Sequence, residues 1–138
     1  MDIERTSRSE IASLHEFFTQ WFTGRCEAQA ISRLETALSP SFRMVHPDGS
    51  QTDRSSVIDA IERGYAVHEW TDFGITIEEV ELRYDLGDHA VVRYEEWQTL
   101  EGDQTGRIST VVFERVDDED RPLRWLDVHE TSIETPEG

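Results

Sequence analysis

A chain of 138 residues suits one folded domain and is long enough to bury a core. Its 13 basic residues against 30 acidic ones give a net charge of −17, and every basic residue is Arg. That balance excludes a phosphate-binding surface for nucleic acid and disfavours an anionic membrane, because both need a positive face.

The first helix is expected to start near Ser7 or Ser9, since Ser7 and Glu10 have capping-box spacing. Ile11, Leu14, Phe18, Trp21 and Phe22 recur at helical spacing, and Gly24 ends the run. A second helix is expected from about Glu27 to Leu38, stopped by Pro40. Phe42 to His46 reads as a strand. Pro47-Asp48-Gly49 is a turn, because Pro presets φ and Gly tolerates positive φ. A short return strand to Thr52 leads to Asp53, the expected cap of a third helix with Val57, Ile58, Ile61 and Tyr65 inward.

After a loop over 66–73, the rest reads as strands: 75–84, 90–99, 107–115 and from Pro122 to about Thr131. Turns at Gly87, Gly102 and the Asp117–Asp120 run separate them. Short turns between sequential strands predict an antiparallel meander. The tail after Ser132 is polar and expected to fray. The resulting expectation is one α+β domain over 1–138, ordered from about 7 to 132. Three N-terminal helices close a curved antiparallel sheet into a cone with a pocket.

Cys26 is the sole cysteine, so no intrachain disulfide is expected, and a half-buried thiol is the plainer reading than a nucleophile. The charged N-terminus is unlike a signal peptide, and no apolar run reaches the length of a membrane span. A cytoplasmic location is the expectation. The lysine-free acidity suits a salt-adapted protein, whose self-repulsion is screened over about 3 Å in molar salt. An acidic protein from an Arg-favouring genome fits the same composition.

The segment FRMVHPDG at 42–49, the helix from Arg54 to Tyr65, GDHAVVRYEEW at 87–97 and RWLDVHET at 124–131 together resemble the nuclear transport factor 2-like superfamily. The nearest branches are SnoaL-like, ketosteroid-isomerase-like and calcium/calmodulin-dependent kinase association domains. The resemblance covers nearly the whole chain and implies a cystatin-like α+β cone, dimeric through its sheet. The superfamily includes isomerases, cyclases, dehydratases, hydrolases and non-catalytic association modules.

In the last strand Trp125, Asp127, His129 and Thr131 share one face by the period of two. The resemblance places that face inside the cone. A carboxylate two residues from His129 can orient or charge the imidazole, and a structural pair or inverted register is the alternative. In the strand from Ala90, Tyr94, Glu96 and Gln98 follow the small inward residues Ala90 and Val92. A phenol beside a carboxylate in an apolar cone suits proton transfer next to a carbonyl, with burial expected to raise the Glu96 pKa. Pairing of Glu96 with a nearby Arg, or a position facing a dimer partner, is the alternative.

Glu96, Asp127, His129 and Tyr94 are therefore the candidate catalytic residues. His46, Trp125, Gln98, Tyr65 and Trp21 are candidate ligand contacts, although core packing also explains Trp21 and Tyr65. Trp97 is expected on the convex face, at a subunit interface. His15 and His89 are expected in solvent, and His68 in a loop at the mouth.

No metal or cofactor motif is present: there is no histidine pair at helical spacing, no Cys cluster and no phosphate-cradling glycine loop. The partner expected is an unidentified small molecule, bound by an isomerase, cyclase or hydrolase without a cofactor. The alternative is a non-catalytic binding or dimerisation module.

Overall fold

The computed structural model describes residues 1–133. Helix α1 spans Ile3–Phe22 and starts earlier than the capping-box spacing implies. Its cap is Asp2, whose side chain accepts from the Arg5 backbone N–H at 3.1 Å. The second helical stretch is split. A 3₁₀ turn covers Ala28–Ile31, and α2 covers Ser32–Ala37. Strand β1, Leu38–Val45, follows at once and contains Pro40. Strand β2 is Gln51–Asp53, and α3 is Arg54–Arg63. Asp53 caps α3 by accepting from the Ser56 N–H at 3.0 Å, as expected.

Strands β3 (Phe73–Asp85), β4 (His89–Leu100), β5 (Asp103–Arg115) and β6 (Leu123–Ile133) form the expected antiparallel meander. The β4–β5 turn uses Glu101 (φ 50°) and Gly102 (φ 88°). Two successive positive φ angles match the twist of a two-residue hairpin loop. The sheet order is β2-β1-β6-β5-β4-β3. It is mixed, because β1 runs parallel to β6. No local sequence signal carries that pairing: the chain leaves β1 and returns beside it some 80 residues later. Ser132 and Ile133 belong to β6, and the rest of the expected frayed tail lies outside the described residues.

The core lies between the helices and one face of the sheet. Ile11, Leu14, Phe17 and Trp21 from α1 meet Ala90 and Val92 of β4, Val111 and Phe113 of β5, and Leu123 and Trp125 of β6. On β4 the alternation runs as expected, with Ala90, Val92, Tyr94 and Glu96 all buried.

On β6 it does not. Phe113 pairs with Trp125 while Val112 pairs with Asp127, so Leu126 is an extra residue in the strand. Such a bulge reverses which side chains face the core beyond it. Trp125 points inward, but after the bulge Val128 and Glu130 are the buried residues.

Candidate functional site

Beneath α1 and α3 the inner face of the sheet leaves a cavity of about 290 Å³. Its walls are mostly apolar, including Phe18 and Phe22 of α1 and Met44 of β1. Ser56 and Ala60 on α3 line it and are exposed, which marks the opening. Among the described residues no group of three or more His, Cys, Asp or Glu side chains is arranged to hold a metal ion.

Two paired carboxylates form the charged part of the lining beside His46 and the uncharged polar groups of Thr52, Ser56, Tyr94 and Gln98. Glu96 Oε1 lies 3.0 Å from His15 Nε2, and Glu96 Oε2 accepts from Gln98 Nε2 at 2.6 Å. His15 is buried, contrary to the expectation of solvent, and its Nδ1 sits 2.7 Å from the Ile11 carbonyl oxygen. A carbonyl can only accept, so Nδ1 carries a proton. Nε2 faces a carboxylate oxygen, so a second proton lies between them. The pair thus holds two protons and no net charge.

Glu130, on β6, forms the second pair. Its Oε1 accepts from Arg107 Nη1 at 3.0 Å, and its Oε2 accepts from the Ser109 hydroxyl at 3.2 Å. Arg107 and Ser109 are inward residues of β5, two apart on one face.

Burial is the largest influence on the Glu96 carboxyl and pushes its pKa up. The hydrogen bond and charge of His15, then Gln98 and Arg107, together outweigh burial and hold it below its ordinary value. The expected rise in the Glu96 pKa is therefore reversed. Tyr94 is buried beside this group. Its phenol pKa is pushed well up by burial and by the charges of Glu96 and Glu130, against smaller opposing effects of Ser109 and Arg107. Tyr94 therefore stays protonated in the neutral range.

The structure brings Glu96, Tyr94, Gln98, Trp125 and His46 to the cavity. His46 Nε2 lies 2.9 Å from the Thr52 hydroxyl. The Trp125 indole donates to Glu10 Oε2 at 2.8 Å, and Glu10 is held in turn by Arg33 at 3.1 Å. That chain fixes the Trp125 ring as a rigid wall.

Four expected contacts are not in the cavity. Asp127 and His129 fall beyond the Leu126 bulge and face the other side of the sheet, where His129 is exposed. The Asp127 carboxyl pKa is raised there, by burial in excess of the opposing charge of His129. Trp21 is buried in the core and donates to the Ile61 carbonyl at 2.6 Å. Tyr65 packs edge-on against Trp21 at 4.6 Å, and its hydroxyl donates to the Cys26 carbonyl.

Among the titratable residues of the cavity, His15, Arg107 and Glu130 are those that strand parity and composition missed. For His15 a signal exists. It stands four residues after Ile11 and three before Phe18, on the stripe that faces the sheet. Glu130 had none, because the bulge decides its side.

Residues 7–134 match the family described as "Sucrose-6-phosphate phosphohydrolase C-terminal". No curated protein matches the chain. Among solved structures, an NTF-2-like protein of unknown function from Pseudomonas aeruginosa is similar at 26% identity, with a TM-score of 0.84 over 94% of this chain and 99% of that one. The CamKII hub homology domain of Chlamydamonas reinhardtii aligns at 16% identity, TM-score 0.67, over 93% and 99% of the two chains. A protein with a cystatin-like fold from Caulobacter vibrioides aligns at 19%, TM-score 0.61, over 92% and 89%. The fold is that of the nuclear transport factor 2-like superfamily.

Proposed function

The chain belongs to the sucrose-6-phosphate phosphohydrolase C-terminal family, and from that premise we propose that it is a single binding domain for a small molecule. The supporting observation is the cavity of about 290 Å³ left open although every carboxylate oxygen in its lining already has a protein donor. A domain that served only to associate would gain by filling that space, because empty apolar volume costs stability. The family name describes a segment C-terminal in a phosphohydrolase, which suits an accessory binding role better than the chemistry itself.

The same geometry weakens a catalytic reading. Glu96 has both oxygens occupied and a lowered pKa, which makes it a poor base. Asp127 and His129, the other proposed pair, face away from the cavity.

The test is thermal stabilisation by a library of small amphipathic compounds, with Val128→Phe as the control that fills the cavity. A ligand at 100 times its Kd stabilises the fold by about 2.7 kcal/mol. The reading predicts hits with the native chain that Val128→Phe abolishes while still melting cooperatively. Hits that survive in the filled variant would place binding elsewhere.

A second reading, association through the sheet, is favoured by the outer face. Trp97 is half-buried there over Gly106, and Ile108 beside it is 39% exposed. The hub homology domain among the structural neighbours fits an oligomer. Sedimentation of Ile108→Arg against the native chain checks it, with a drop to monomer expected.

A further inference from the structure

We propose that the cavity selects an uncharged, largely apolar molecule that accepts hydrogen bonds at one end and rejects the carboxylate and ammonium forms of the same skeleton. This rests on the binding reading above. Among the described residues six titratable side chains line the cavity: His15, His46, Tyr94, Glu96, Arg107 and Glu130. His15 with Glu96 sums to no net charge, since Nδ1 meets a carbonyl oxygen and Nε2 a carboxylate oxygen. Arg107 with Glu130 also sums to none. Tyr94 stays neutral, and only His46, half-buried at Thr52, stands apart from these pairs.

The donors and acceptors are unequal. Glu96 takes donors from His15 and Gln98, and Glu130 takes donors from Arg107 and Ser109. Beside the two pairs a guest meets the N–H groups of Arg107 not spent on Glu130 and the Tyr94 phenol, and the Thr52 and Ser56 hydroxyls and the Gln98 carbonyl oxygen also line the cavity. A guest that accepts is therefore matched, as an alcohol, ether or carbonyl oxygen would be. A guest carboxylate would meet these donors but stand near Glu96 and Glu130. A guest ammonium would find both carboxylates already neutralised. Either ion loses its water in a mostly apolar space without a counter-charge. The volume, at the low end of the roughly 300–1,000 Å³ usual for ligand sites, suits a skeleton of about two rings.

The experiment is titration calorimetry at neutral pH with naphthylmethanol, naphthoate and naphthylmethylamine. The alcohol is expected to bind at least about tenfold tighter than either ion. In His15→Gln, which keeps a donor for Glu96 but brings no positive charge, the amine should gain on the alcohol by about tenfold. Should that variant not fold, Arg107→Gln, whose side chain is partly exposed, carries the same expectation for Glu130. An ion that equals or beats the alcohol in the native chain overturns the charge assignment and leaves the binding reading standing. So does an unchanged preference in the folded variant. Binding by none of the three overturns both.

Discussion

His15 Nε2 and Glu96 Oε1, 81 positions apart in the chain, lie 3.0 Å from one another in the floor of the cavity. Their side chains are 6% and 8% exposed, and among the described residues each is the other's only charge-bearing hydrogen-bond partner in a nearly dry setting. Removing one member strands the other. His15→Leu should cost about 3 kcal/mol, near the lower end of the range for breaking a buried pair. The double replacement His15→Leu with Glu96→Leu should recover part of that loss, because two apolar side chains leave no buried charge. Urea denaturation of the two variants and the native chain measures both.

Acid stability follows from the same contact. The folded Glu96 pKa lies below its unfolded value of about 4.5. A lowered carboxyl contributes stability that is present above the unfolded value and is lost as pH falls through the folded one. The native chain should lose stability progressively below about pH 4.5, and Glu96→Gln should show a shallower loss over that window. For Tyr94 the sign is opposite. Its folded pKa is raised, so its contribution is intact below the unfolded value of about 10 and falls away at higher pH. Tyr94→Phe should flatten the alkaline limb. Urea midpoints against pH check both limbs.

The bulge at Leu126 predicts opposite tolerance at adjacent positions. Val128 is buried on the cavity side, so Val128→Asp should destabilise by more than about 3 kcal/mol, as an unpaired buried charge does. His129 is exposed on the far side, so His129→Ala should stay within about 0.5 kcal/mol. Denaturation midpoints of the two variants distinguish this register from an unbroken strand, which would exchange the two results.

Gly106 lies opposite Trp97 in the β4–β5 ladder, and the indole covers it. A Cβ there would come within 2.5 Å of the Trp97 ring. Gly106→Ala should cost about 2 kcal/mol through this overlap, and Trp97→Leu in the same chain should relieve much of it. Tryptophan fluorescence during unfolding follows both effects.

Salt should act on the whole chain. With a net charge of −17, self-repulsion is strong in dilute buffer and screened over about 3 Å at 1 M salt. The melting temperature should rise between low and molar KCl. Equal or better stability in low salt would remove the salt-adapted reading.

Local rules read most of this fold. Helical spacing located α1 and α3, Asp53 announced its own cap, and the period of two on β4 placed Tyr94 and Glu96 inside. These features depend on a residue and its near neighbours, so composition and spacing carry them. What failed was set by contacts distant in the chain. Glu27 to Leu38 split and gave way to a strand, because β1 pairs with β6 rather than completing a helix.

The candidate site was legible only in part for the same reason. Amino-acid order alone determined a helix-then-meander domain, resembling the nuclear transport factor 2-like superfamily, with a carboxylate and a phenol facing inward. Tertiary structure alone decided which residues join them. Parity along a strand is a local property, but a bulge arises where two strands of unequal length must stay in register. One extra residue at Leu126 sends Asp127 and His129 outside and brings Glu130 in, beside Arg107. His15 became the partner of Glu96 because the packing of α1 across the sheet, and nothing nearer in the chain, aims its ring there.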